Sequence, residues 1–189
     1  MELNTLQFFY DDAQDRLLLR IAVIDNGAAH ELRAWLTRRF VPQLWSAMQQ
    51  ALVTRVSLAR PDAVHASTEL IDMARQSAIR TLTSHGAFGT GFRTDLPPHA
   101  ECASAFLVAE AKFHVAAEGP IRINFLPAEG SGFELTLDDT EFHGFFSLLQ
   151  QTVPVTGWDQ PLTLEGAWND DATGNGPLKD GHSLPRLLN

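Results

Sequence analysis

One stretch of this chain occurs twice, and that repetition constrains the fold more than any other feature. ELRAWLTRRFVPQLWSAMQQAL, Glu31–Leu52, recurs in altered form as GFELTLDDTEFHGFFSLLQQTV, Gly132–Val153. In the first copy Leu32, Ala34 and Leu36 alternate with Arg33, Trp35 and Thr37. In the second, Phe133, Leu135 and Leu137 alternate with Glu134, Thr136 and Asp138. A period of two puts each set on its own face of a strand, so both copies bury the same face. Beyond a polar elbow the period changes. Val41, Leu44, Trp45 and Met48 follow the i, i+3, i+4, i+7 spacing of a helix stripe, and Phe142, Phe145, Phe146 and Leu149 match them position for position. Pro42 restricts the first helix to a start near Arg39 or Phe40, because proline is tolerated only in the first turn. Asp138 and Glu141 have the spacing of a capping box at the start of the second.

The rest of the chain extends these copies into larger units. NTLQFFY (4–10) reads as a strand with Leu6, Phe8 and Tyr10 on one side, and RLLLRIAVI (16–24) as the next. Asp25-Asn26-Gly27 is a hairpin signal leading into the Leu32 strand. A second helix is expected over 61–84, with Pro61 at its start. Residues 106–115 and 121–126 supply two strands before the Phe133 strand. The expected fold class is therefore α+β, with two pseudo-symmetric β-β-β-α units. Their antiparallel sheets are backed by helices, and one extra helix lies between the units. The divisions fall at 1–60 for the first unit, 61–103 for the connecting helix and Gly-rich loop, 104–158 for the second unit and 159–189 for a loosely held tail.

Composition narrows the setting. The charge is −9, unevenly placed: residues 1–94 carry ten Arg against nine acids, and residues 95–189 carry four basic groups against fourteen acids. A general nucleic-acid binder favours a basic domain, so bulk charge argues against that class. With one cysteine, Cys102, no intrachain disulfide can form. No apolar run is long enough to span a bilayer, and MELNTLQFFYDD lacks the basic and apolar regions of a signal peptide. A cytoplasmic protein without a membrane partner is the expectation.

The chemistry-bearing motifs are weak. His99-Ala100-Glu101 has the H-x-E form of zinc deaminases, but these need further cysteines and Cys102 stands alone. The seven histidines show no close ligand spacing, so no metal site is expected. Gly86, Gly89 and Gly91 lack the following G-K-[ST] of a phosphate loop. Asp138-Asp139 is explained by its place at a helix start. No cofactor and no catalytic residue is expected; an enzyme with a site formed by loop 85–102 is a minor alternative.

Arg38-Arg39 breaks a local rule. These two cations precede a helix, where the dipole favours acids, and Asp138-Asp139 and Thr140 fill the elbow in the other copy. Either each Arg pairs with an acid such as Asp138 or Glu141, or the elbow serves a partner. Trp35 alternates away from the Leu32/Leu36 face beside Arg33, a combination favoured at interfaces. The candidate binding residues are Tyr10, Arg20, Arg33, Trp35, Arg38 and Arg39.

The segments DRLLLRI (15–21), ELRAWLTRRF (31–40), EFHGFFSLLQQTV (141–153) and GWD (157–159) resemble a group of proteobacterial proteins to which no activity is attached. The twice-repeated run of strands and a helix is similar in organisation to Pur-alpha and, more loosely, to the Whirly single-stranded nucleic-acid binders. That likeness implies intertwined repeats and a sheet that binds through basic and aromatic residues. This chain departs from it in its acidic second unit and in having three strands per unit where those families use four. The expected function is a non-catalytic module that binds a protein partner. Single-stranded nucleic-acid binding through the first unit, with Arg16 joining the candidate residues, is the alternative, and homo-oligomers are allowed.

Overall fold

A computed structural model describes residues 2–84, 92, 93, 95–159, 162, 187 and 188. The chain opens with an antiparallel meander of β1 (Glu2–Asp11), β2 (Arg16–Asp25) and β3 (Ala28–Thr37). Asp11 closes the first turn by accepting from the backbone N–H groups of Ala13 and Gln14 at 3.0 and 3.2 Å. Asn26 and Gly27 turn the second with φ of 49° and 79°, the left-handed pair that a two-residue hairpin requires.

Helix α1 (Phe40–Ala59) follows, then a 3-10 segment over Pro61–Ala66, then α2 (Ser67–Ser84). The sequence predicts a single helix across 61–84; the chain instead kinks at Ala63, whose φ and ψ are −110° and 17°. The second meander consists of β5 (Glu110–His114), β6 (Ile121–Leu126) and β7 (Phe133–Leu137), and leads into α3 (Asp139–Thr152). Thus β-β-β-α occurs twice, with α2 between, and the α+β architecture holds.

Each meander gains a short neighbour that periodicity did not distinguish. The strand expected over 106–115 is two strands. β4 (Phe106–Leu107) pairs in parallel with β3, and the chain then crosses to begin β5 in the other sheet. The reason is geometric, since both sheets draw strands from one apolar run and Val108 is buried at the crossing. From the expected tail, β8 (Leu187–Leu188) pairs with β5, and Trp158 is buried. Residues 160, 161, 163–186 and 189 of that tail lie outside the described residues.

The eight matched stripe residues are all buried at 0–4% exposure, in one contiguous core that both units share. Two of them meet. Trp45 of α1 stacks on Phe146, its counterpart in α3, with ring centroids 3.8 Å apart and planes inclined by 21°. Contact between equivalent positions is what an approximate twofold axis produces.

The helices are also exchanged. α3 lies on β1 of the other unit, with Phe8 and Phe145 centroids 5.4 Å apart, and α1 lies on β5 as well as β3. Beyond each helix core, the chain grips the other unit's first hairpin turn. Arg55 of α1 donates to the carbonyls of Ala116 and Gly119 at 2.6 and 2.5 Å, and Trp158, past α3, donates to Asp15 at 2.5 Å.

The helix starts differ. Asp138 accepts from the N–H of Glu141 at 2.7 Å, and Glu141 accepts from the N–H of Asp138 at 2.8 Å, completing the expected capping box. In the first unit Thr37 stands where Asp138 does, and it accepts from the N–H of Phe40 at 3.1 Å.

Because Phe146 sits where the two helices meet, Phe146→Ala should cost about 3–5 kcal/mol, as for other buried aromatic truncations. In urea denaturation the midpoint should fall with the slope unchanged. A loss of about 1 kcal/mol or less would mean that the stacked pair does not join the halves.

Candidate functional site

The first sheet buries Leu17, Leu19, Ile21, Leu32, Ala34 and Leu36 on one face. Alternation sends their neighbours to the other face, and strand register sorts those neighbours into rows. One row runs across four strands: Phe9 opposite Leu18, Leu18 opposite Trp35, Trp35 opposite Leu107. Phe9 is 54% exposed and Leu107 40%, while Leu18 and Trp35 are half-buried between them. The next row is Gln7, Arg20 and Arg33; on the other side lie Asp11, Arg16 and Thr37. The result is an apolar band with guanidinium groups on both flanks.

The two arginines of the inner row are not equivalent. Arg20 pairs through Nε with the buried carboxylate of Glu31 at 2.5 Å, and its guanidinium lies 4.3 Å from the centre of the Phe92 ring. Residues 97–99 run along the β3 edge, where Pro97 accepts from the Glu31 N–H and His99 donates to the Glu31 carbonyl, each at 2.9 Å. Arg33 has a buried Nε with no hydrogen-bond partner. Arg33 is thus held less tightly by its neighbours than Arg20, which the Glu31 carboxylate commits to the fold.

Arg38 and Arg39 are exposed just past Thr37, which is opposite Arg16. Neither forms an ion pair among the described residues, and Asp138 and Glu141 satisfy each other instead. Of the two readings offered by the sequence, pairing with Asp138 or Glu141 is therefore not made among the described residues. The Thr37 hydroxyl takes up one N–H of the elbow, that of Phe40, without an acid at Arg38 or Arg39.

Tyr10 does not belong to this face. It is opposite Leu17 on the core side, its ring edge meets Trp158 with centroids 5.9 Å apart, and its hydroxyl donates to Asp15 at 2.9 Å. That bond and the Asp15 charge raise the phenol above its ordinary range. The Trp158 and Tyr10 donors hold Asp15 below the usual carboxylate range. Tyr10 is a clamp between units on the core side of the sheet.

The other motifs read from sequence lie elsewhere in the fold. His99 is buried with its Nε2 3.6 Å from Asp25, and Cys102 is buried with its thiol 3.3 Å from the Arg33 carbonyl. Among the described residues no group of three or more His, Cys, Asp or Glu could hold a metal ion, and no helix is long and apolar enough to cross a membrane. Gly86, Gly89 and Gly91 of the 85–102 loop lie outside the described residues.

A second concavity escaped the sequence reading. A cleft of about 650 Å³ opens between α1, α2, the start of α3 and the turn at 117–119. α1 outlasts its counterpart, 20 residues against 14, so its apolar stripe continues from Leu52 at the core edge through Val56 and Ala59 beyond it. That excess length was the available signal. α2 is held at its far half, where Leu82 closes on Gly144 and Ala78 is buried, and the near half leaves the gap.

Polar groups meet at one end of the cleft. Arg55 bonds Asp139 at 2.9 Å, and His143, 4% exposed, has an Nδ1 without a hydrogen-bond partner. An orphaned buried polar atom of this kind costs about 1–3 kcal/mol. Burial holds the His143 imidazole below its ordinary value against the opposing pull of Asp139, and the Arg75 charge lowers it further.

Comparison of the chain with family models, with curated proteins and with solved structures found no match.

Two measurements separate fold from site. Arg20→Ala strands the Glu31 carboxylate and should destabilise by about 3 kcal/mol in urea denaturation, whereas Trp35→Ala should cost about 1 kcal/mol or less. For His143, the folded state resists the proton that the unfolded chain accepts near its ordinary pKa of 6.5. Stability should therefore fall as pH drops below that value. His143→Gln should flatten the profile relative to the parent; identical profiles would show that burial does not perturb this group.

Proposed function

We propose that this chain is a non-catalytic module that binds a protein partner on the outward face of its first sheet. The observation that carries the reading is the apolar row Phe9–Leu18–Trp35–Leu107 across four strands, exposed at its two ends and half-buried at Leu18 and Trp35. Exposed apolar patches on folded chains mark interaction surfaces when they are contiguous and rimmed by polar groups. The rim specifies the partner's chemistry. Arg33 borders one side of the row and Arg16 the other, with Arg38 and Arg39 exposed at the elbow just past Thr37. The fitting partner presents apolar side chains fringed by carboxylates. A bacterial cytoplasm is the setting we assign, consistent with a lone, buried Cys102.

Single-stranded nucleic acid is the second reading, because Phe9 and Trp35 share the face with Arg33 and could stack bases. It is the weaker one. Arg20 is already neutralised by Glu31, and the chain's charge of −9 opposes a polyanion at long range. Homo-oligomers through the same face are the third outcome to test.

Affinity capture from the native host, run in parallel with the parent chain and with Trp35→Ala combined with Leu107→Ser, tests the ranking. The variant should keep the parent's circular dichroism and lose a specific co-purifying protein by about tenfold or more. Binding of an oligothymidylate with a steep inverse dependence on salt, abolished by Arg33→Ala, would overturn the protein reading in favour of the second. A dimer in sedimentation that dissociates in the Trp35 variant would identify the partner as another copy of the chain.

A further inference from the structure

We infer that the cleft between α1, α2 and the 117–119 turn is a binding site for a small neutral amphiphile, an apolar body ending in a hydroxyl. The volume of about 650 Å³ is in the range of small-molecule pockets. Leu52 and Val56 from α1 and Leu70 and Ile71 from α2 form opposed apolar walls. Among the described residues no side chain fills the space between them, because Ala59, Ala74, Ala117 and Gly119 are all small.

The polar end determines the head group. Arg55 carries a charge, but its guanidinium is spent on two carbonyls and on Asp139, whose charge cancels it. At the mouth, Arg60 and Glu118 again supply one charge of each sign. A carboxylate or an ammonium entering this cleft would lose its hydration without meeting an uncompensated counter-ion, which is unfavourable. Arg75, behind the lining, is paired with Asp72 at 3.5 Å, so among the lining residues the group left wanting a partner is the neutral imidazole of His143, through Nδ1. A hydroxyl suits it in either tautomer, since it donates and accepts equally well. The site is independent of the outward sheet face, so it stands or falls separately from the protein-binding reading.

The test uses the full chain with n-octanol, octanoate and octylammonium as probes in calorimetric titration and thermal-shift assays. Octanol should bind about tenfold or more tightly than either charged probe, raise the melting temperature by mass action and shift the His143 imidazole nitrogen resonances. Ala74→Phe, filling the cleft from α2, should abolish binding while keeping the ligand-free melting temperature. Ala59→Phe from α1 does the same if Ala74→Phe unfolds the chain. His143→Phe should retain affinity for the octyl body but lose the preference for octanol over its methyl ether. Octanoate binding as tightly as octanol would overturn the neutral-head assignment. Absence of octanol binding, or binding indifferent to both filling variants, would overturn the site.

Discussion

Everything in this molecule depends on the exchange of helices between its two halves. Neither meander can bury its apolar face alone: a three-stranded sheet needs a layer against it, and a helix supplies that layer. Here each helix serves both sheets. Phe145 of α3 meets Phe8 of the first sheet at 5.4 Å and Phe125 of the second at 6.5 Å. Where the helices themselves meet, Trp45 lies flat on Phe146. Stacking adds about 0.5–1.5 kcal/mol beyond burial, so most of the stabilisation is the apolar area that two aromatic side chains remove from water. The consequence is a single core. The halves resemble each other as units of chain, but neither has a core that the other does not complete.

The exchange also explains where polar groups are spent. Arg55 and Trp158 each anchor the end of a helix to the opposite hairpin turn, and Tyr10 assists through Asp15. These groups look like candidates for binding, being a cation and aromatics near the surface, yet they are occupied in holding the halves in register. By contrast, the outward row of the first sheet lacks that kind of occupation. Its end residues Phe9 and Leu107 are exposed, and Arg33 keeps a buried donor without a partner. Polar groups without partners are costly in a folded chain, so their retention at a surface band and at a cleft is where binding is best sought.

Much of the fold was legible in the residues. Alternation at Leu32–Leu36 and Phe133–Leu137, the stripes at Val41–Met48 and Phe142–Leu149, the Asn26-Gly27 hairpin and the Asp138–Glu141 capping box all follow from local rules. The candidate site was half legible. Arg33 and Trp35 belong to the face because alternation determines which side of a strand a residue takes, whereas Tyr10 belongs to the opposite one. Arg38 and Arg39 were noticed for breaking a rule, but the compensation came from Thr37, one residue upstream, whose hydroxyl role is invisible without the backbone path. The cleft was missed altogether, because a gap between helices is a property of their separation and not of either stripe.

The chain's own order of residues thus determined its elements, their buried faces and their repetition, since these depend on spacing within a few residues. Tertiary structure alone decided that the apolar run at 106–115 serves two sheets, that each helix crosses to the other unit, and that Phe9, Leu18, Trp35 and Leu107 fall into one row. Such facts depend on register and on which surfaces approach one another across long separations in sequence. Local periodicity holds no record of them.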